Sequence, residues 1–287
     1  MDRIDLHIHS VYSDGTLTPG ELINRAKAKN LRAISITDHD TVDGLTEGEN
    51  AATAANIEFI PGCEISAYHN DLQIHILGYH INPRSKTLAT QFSKLAIIRD
   101  ERNQHMLQAL SRVGIDVSNE QLEQAASGEI ITRSHFAKVL WHSGHANSIR
   151  DAFDRYVAPG GAAFVPHTAM TVRECIEFIR CEGGVPVLAH PFLYHLHEPQ
   201  VESLVQTLAG YGLMGIEAIY SSHTTYQINQ ATRWANKYRL VVTGGSDFHG
   251  ENRPSSDIGT GRGSLFVPYS IINNLQDARD SLRTCIQ

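Results

Sequence analysis

Imidazoles and carboxylates recur in short bursts along this chain of 287 residues. The bursts are His7-Ile8-His9 with Asp14, Thr37-Asp38-His39-Asp40, Gly62-Cys63-Glu64, Ile74-His75-Ile76, Ala189-His190-Pro191 and Ser246-Asp247-Phe248-His249. Most follow apolar runs that read as buried strands. Donors of these two types, delivered together from several strand ends, can hold divalent cations in one pocket. On a strand, residues i and i+2 face the same side, so His7 and His9 can reach one ion while Ile8 turns to the core. Asp247 and His249 repeat that spacing. Glu64, at the end of the run 58–63, has two oxygens and can bridge two cations. Singly, each burst has a plain reading as a chance pair, a helix cap or a satisfied core histidine. Six of them at strand ends point to a polynuclear metal site and to metal-assisted hydrolysis.

The elements that must position these groups are legible in outline. Strands at 3–7, 32–37, 57–61 and 73–79 are interleaved with helices at 19–29 and 42–55. Thr18 serves as N-cap of the first helix, Pro19 takes its first position and Glu21 completes a capping box. The rhythm breaks at Asn82-Pro83. From 85 to 148 the apolar residues Leu95, Ile98, Met106, Leu107, Leu110, Phe136, Val139 and Leu140 keep helical spacing. After a return segment at 159–166 the alternation resumes, with helices at 173–181, 198–209 and 225–238 and strands at 185–189, 214–219 and 240–243. One α/β barrel, formed by 1–82 and 167–287 and interrupted by a helical insertion at 83–166, is the expected organisation. Its site lies at the strand C-terminal ends.

Bulk properties narrow the function. The net charge of −7 argues against a broad nucleic-acid surface and so against duplex binding, but not against a nucleotide, since bound cations are local positive charge. Sixteen histidines favour metal chemistry. Cys63, Cys175, Cys181 and Cys285 form no CxxC pair, so a reducing cytoplasm is expected. No signal peptide or membrane span is expected either.

The motif series, His7-x-His9 with Asp14, Thr37-Asp38-His39, Gly62-Cys63-Glu64, His75, Ala189-His190-Pro191 and Gly245-Ser246-Asp247-x-His249, resembles that of the PHP (polymerase and histidinol phosphatase) superfamily. The order is most similar to its TrpH-like branch of small phosphoesterases, which carries an inserted helical domain between the His75-type and His190-type strands. The resemblance implies a distorted (β/α)7 barrel with two to three divalent ions, Mn²⁺ foremost, with Fe or Zn²⁺ suited to the same ligands. It implies one ion held by His7, His9, Glu64 and Asp247, a second by Glu64, His75 and His190, and a third by Asp14, His39 and His249.

It further implies a small phosphorylated substrate: a nucleoside 3′,5′-bisphosphate losing its 3′-phosphate, or a short 5′-phosphorylated oligoribonucleotide. Arg133, Ser134, His135 and Lys138 of the insertion stand where relatives grip a substrate phosphate. Asp40 and His223 are candidates to protonate the leaving oxygen, set against surface or capping roles. Two departures concern the substrate. Phe192-Leu193-Tyr194 follows the His-Pro pair where many relatives have Gly-Arg-Tyr, and Pro159-Gly160-Gly161-Ala162 replaces a basic turn. His167, His195 and His197 are the nearby groups that could compensate. Phe136, Trp141 and Tyr194 are candidates to stack a base, set against core packing. Competing readings are a phosphatase for another ester such as histidinol phosphate, an amide-hydrolysing barrel, and a binding or scaffolding module.

Overall fold

A computed structural model describes residues 2–70, 72–126, 131–166 and 170–285, with side chains through Leu282. The chain forms two compact units, Met1–Ala89 with Met170–Gln287, and Thr90–Ala169.

In the first unit, β1 (Arg3–Asp5) is followed by α1 (Pro19–Ala28), β2 (Leu31–Ile34), α2 (Leu45–Ala55), β3 (Glu58–Phe59), β4 (Gly62–His69) and β5 (Leu72–Tyr79). The expected capping box forms: the Thr18 hydroxyl accepts from the Glu21 N–H at 3.3 Å and the Glu21 carboxylate from the Thr18 N–H at 2.8 Å. The expected strand at 57–61 shrinks to β3, because Pro61 offers no N–H to a ladder. Glu64 therefore does not close a strand; it lies inside the long β4. β4 and β5 form an antiparallel hairpin from Gly62↔Tyr79 to His69↔Leu72.

The second unit contains most of α3 (Lys86–Arg112), then α4 (Asn119–Ala126), α5 (Arg133–His142) and α6 (Ile149–Ala152). Met106, Leu110, Leu122, Phe136 and Leu140 form its apolar centre. Among the described residues it has no named strand.

The first unit resumes with α7 (Val172–Cys181), β6 (Val185–Leu188), α8 (Glu198–Gly210), β7 (Gly215–Tyr220), α9 (Thr225–Tyr238) and β8 (Val241–Gly245). β9 (Val267–Pro268) and α10 (Ser270–Cys285) follow in a region where the sequence suggested no element. One sheet runs β3-β2-β1-β9 and the other β4-β5-β6-β7-β8. The β5–β6 and β1–β9 pairs are antiparallel like β4–β5, and the other strand pairs are parallel. Backbone bridges join them on both sides: Ile8 pairs with Phe248, and His39 with Glu64. Ile4, Leu6, Leu77, Val187 and Val267 share one buried core beneath these junctions. The fold is thus α/β, and no described helix is long and apolar enough to cross a membrane.

Candidate metal centre

All nine sequence-derived ligand candidates fall in the first unit: Glu64 and His75 inside β4 and β5, and the others in the segments that follow β1, β2, β6 and β8. β1 ends at Asp5, but the chain stays extended through Ile8: the Asp247 N–H donates to the His7 carbonyl at 2.8 Å and the His9 N–H to the Phe248 carbonyl at 2.9 Å. The alternation read from sequence therefore holds beyond the strand. His7 and His9 share a face and Ile8 is fully buried. Close approach of β8 to this segment requires Gly245; a Cβ there would stand 2.3 Å from the Cβ of His7. Asp38 binds the loop that carries Asp14, accepting from the Ser10 N–H at 2.7 Å and from the hydroxyls of Ser10 and Ser13 at 2.6 Å each. Asp40, His190 and Asp247 have φ of 52°, 26° and 52°, a left-handed backbone that non-glycine residues adopt at a cost of roughly 1–3 kcal/mol each.

Glu64 sits at the centre. Its Oε2 lies 3.1 Å from His7 Nε2, 3.2 Å from His9 Nε2 and 3.4 Å from His39 Nδ1. Its Oε1 lies 2.9 Å from His75 Nδ1 and 3.0 Å from His190 Nε2. Asp247 Oδ1 is 3.2 Å from His9 Nε2 and 3.5 Å from His7 Nε2. Asp14 Oδ1 is 3.2 Å from His249 Nε2, and its Oδ2 is 3.8 Å from His39 Nε2. Three donor groups are each compact enough for an ion: His7, His9, Glu64 and Asp247; His9, Asp14, His39 and His249; and His39, Glu64 and His75. His190 adjoins the last group through Glu64, whereas the family resemblance places it there in place of His39.

The donors fit a metal on two counts. Ligands about 2.1 Å from one ion stand roughly 3.0 Å apart at octahedral and 3.4 Å apart at tetrahedral angles. The contacts His7–His9, His7–Glu64, His9–Glu64 and His9–Asp247 fall at 3.1 to 3.2 Å. Secondly, buried lone pairs lack aligned partners. His249 Nδ1 donates to the Asp247 carbonyl at 2.9 Å, which leaves its Nε2 facing Asp14 Oδ1 at 3.2 Å without an aligned hydrogen bond; His39 Nδ1 likewise faces Glu64 Oε2 at 3.4 Å without one. Orphaned buried nitrogens are costly unless something else occupies their lone pairs.

Electrostatics agree. Burial opposes charge on His7, but Glu217, Glu64 and Asp247 outweigh it and hold its pKa well above the usual imidazole range. Burial likewise opposes charge on His9, yet hydrogen bonds to Asp247 and Glu64 push it up to about 10. Burial wins at His39, which falls to about 3. Burial works to raise Asp14, Glu64 and Asp247, and surrounding histidines, with Arg253 at Asp247, hold all three well below the carboxylate range. The cluster is a knot of anionic carboxylates that draws protons onto imidazoles. A cation can take the place of those protons.

Three supporting residues went unnoticed in the sequence. Fully buried Glu217 accepts from His7 Nδ1 at 2.9 Å and from the His190 N–H at 2.8 Å, so it aims His7 Nε2 at the cluster. Its signal was a lone carboxylate inside the apolar run Gly215–Tyr220. Asp5 accepts from the Ser246 N–H at 2.8 Å and the Gly259 N–H at 2.6 Å, tying β1 to the loop beyond β8. Burial raises Asp5 to about 6 despite these bonds. Arg253 pairs with Asp247 Oδ2, which also accepts from the Tyr220 hydroxyl at 2.6 Å.

The other sequence candidates are more dispersed. Asp40 Oδ1 accepts from the Ser66 N–H at 2.9 Å and its own N–H donates to the Glu64 carbonyl at 2.9 Å, so it fastens β4 beside the cluster. His223 Nδ1 donates to the Ala218 carbonyl at 3.0 Å, its Nε2 is buried without a hydrogen-bond partner, and burial lowers its pKa. Arg133, Ser134, His135 and Lys138 lie on α5 of the second unit. Arg133 donates to the Val165 carbonyl and lies over the Phe164 ring, Lys138 donates to the Ala125 carbonyl, and His135 Nδ1 accepts from the Thr132 N–H as a cap. Ser134 is exposed. His195 and His197 are exposed, and His167 lies outside the described residues. Phe136 is fully buried, Tyr194 spends its hydroxyl on the backbone of His75 and Ala189, and Trp141 is exposed.

Residues 5–158 match the PHP domain family. The chain belongs to that family. Within it, the chain is 34% identical to a 3′,5′-nucleoside bisphosphate phosphatase of Chromobacterium violaceum, over 90% of this chain and 91% of the relative. It is 32% identical to the 5′-3′ exoribonuclease Rnm of Escherichia coli, over 93% of this chain and 90% of the relative. Among solved structures, an amidohydrolase of C. violaceum with bound sulfate superposes with a TM-score of 0.84 at 32% identity, covering 96% of both chains. A protein of Bifidobacterium adolescentis assigned as a metal-dependent phosphoesterase gives 0.80 at 26% identity, again over 96% of both. The two solved structures share the fold of this chain.

Proposed function

We propose that the protein is a metal-dependent phosphoesterase that removes the 3′-phosphate from nucleoside 3′,5′-bisphosphates and trims short 5′-phosphorylated oligoribonucleotides. One observation carries the hydrolase reading: Glu64 divides its two oxygens between His7, His9 and His39 on one side and His75 and His190 on the other. That is the arrangement of a carboxylate bridging neighbouring cations. The named activities of the bisphosphatase and exoribonuclease relatives support the substrate class.

The reading takes seven strands, β1, β2, β4, β5, β6, β7 and β8, as a closed ring. The Ile8–Phe248 and His39–Glu64 bridges support that closure. It takes the nine candidates as ligands for two to three ions, manganese being the expected one. When bound, such ions supply Lewis acidity and lower the pKa of water toward neutrality. The chain's own residues then have distinct tasks. Glu217 fixes the tautomer and direction of His7, and Asp38 fixes the loop of Asp14. His223, its Nδ1 proton committed to Ala218 and its basicity lowered by burial, suits accepting a hydrogen bond from a substrate hydroxyl better than delivering a proton. Asp40 acts by holding β4 in register. The free thiols of buried Cys63 and Cys175 suit a reducing compartment.

The test is a hydrolysis screen with manganese, reading inorganic phosphate from adenosine 3′,5′-bisphosphate, AMP and histidinol phosphate, and released nucleotides from a short 5′-phosphorylated RNA. The bisphosphate should be turned over with the highest kcat/KM. Preference for histidinol phosphate, or no release from any of the four, would reject the proposal.

A further inference from the structure

We propose that Arg253 is a substrate-binding residue that grips the phosphoryl group at the mouth of the metal centre. The inference rests on the phosphoesterase reading and adds a specific contact to it. Arg253 belongs to the loop that carries Asp247 and His249. Its Nη1 donates to Asp247 Oδ2, while Asp247 Oδ1 faces His9 Nε2 at 3.2 Å. One carboxylate thus links the guanidinium to the donor cluster, and the Tyr220 hydroxyl braces the same Oδ2. The Arg253 side chain is 46% exposed, against 4% for Asp247, so it reaches from the buried cluster to solvent.

The group is also held in advance. The Glu251 N–H donates to the Thr16 hydroxyl at 3.0 Å and Asn252 Nδ2 to the Asp14 carbonyl at 2.9 Å, which pins this loop to the Asp14 loop. The Arg253 N–H donates back to the Gly250 carbonyl at 3.2 Å. Asp247 is the acceptor for Nη1, and a guanidinium has five N–H donors in a planar fork. The remaining donors match the oxygens of a phosphoryl group, and such a fork binds them in pairs. A phosphate ester arrives as an anion, and the Arg253 guanidinium places a positive charge on the exposed side of Asp247. The segments Phe192–Tyr194 and 159–162 bring no positive charge. Arg253 supplies one from a third loop.

A residue that served only as counter-ion to Asp247 would alter metal binding and not phosphate binding, so the two are separable. Wild type, Arg253→Ala and Arg253→Lys are loaded with manganese. Metal stoichiometry, inorganic phosphate affinity by calorimetry, and kcat and KM for adenosine 3′,5′-bisphosphate are then measured. Arg253→Ala should weaken phosphate binding by roughly ten- to hundredfold and raise KM by a similar factor, with metal stoichiometry retained and kcat changed less. Lysine should restore part of the loss, since it keeps the charge and lacks the fork. Unchanged phosphate affinity in Arg253→Ala, or metal lost in step with it, overturns the assignment. The calorimetry needs no turnover. A wild type that binds phosphate yet hydrolyses no ester would reject the substrate reading and leave the phosphate comparison to decide on Arg253.

Discussion

At the residue scale, the strongest demand is placed on Glu217. It is fully buried and bonded to both His7 Nδ1 and the backbone N–H of His190. Replacing a carboxylate that orients a metal-binding imidazole typically costs ten- to a hundredfold in metal affinity, roughly. Glu217→Gln should therefore lower manganese affinity by about that factor while circular dichroism stays native. Wild-type affinity in the variant would remove Glu217 from this role. Protons provide a second check. His7 and His9 have raised pKa values, so in the ion-free protein they hold protons at neutral pH and release them only as pH climbs toward about 10 at His9. Metal must displace those protons, so apparent affinity should rise with pH across the neutral range, by up to roughly tenfold per unit for each proton displaced. A manganese titration that releases no protons at pH 7 contradicts this. The donors themselves were legible because histidine and carboxylate stand out in apolar runs. Glu217, Asp5 and Arg253 were not, since each stands outside the paired bursts and takes its role from the neighbours that folding brings to it.

At the scale of elements, the site depends on close strand approach. Gly245→Ala would push a methyl group into His7, with contacts of 2.3 Å to its Cβ and 2.5 Å to its backbone nitrogen. Overpacking of this kind costs about 1–3 kcal/mol. The urea midpoint should fall accordingly and manganese stoichiometry should drop, because His7 would be displaced from Glu64. A variant with native midpoint and full metal content would show that β8 can retreat without consequence. Sequence periodicity located most strands of the first unit to within a few residues, since their buried faces are nearly continuous. It missed the extent of β4 because Pro61-Gly62 looks like an ending and is a restart. It missed β9 and α10 because nothing between His249 and the C-terminus resembled a site and drew a reading.

At the scale of the whole molecule, the nine donors gather residues from His7 to His249 around one carboxylate. An ion that binds only this folded arrangement stabilises it by about 2.7 kcal/mol when present at a hundredfold over its Kd. Manganese should raise the melting temperature, and a chelator should lower it below that of the loaded protein. Equal melting with and without metal would be inconsistent with the centre as described.

The clamp made by Asp5 bears on how the protein is made. Its carboxylate waits for the amides of Ser246 and Gly259. His7 and His9 therefore wait for their final neighbours until the segment from Ser246 to Gly259 has been synthesised. On the proposed reading, a polypeptide truncated before Asp247 should fail to retain the full complement of ions.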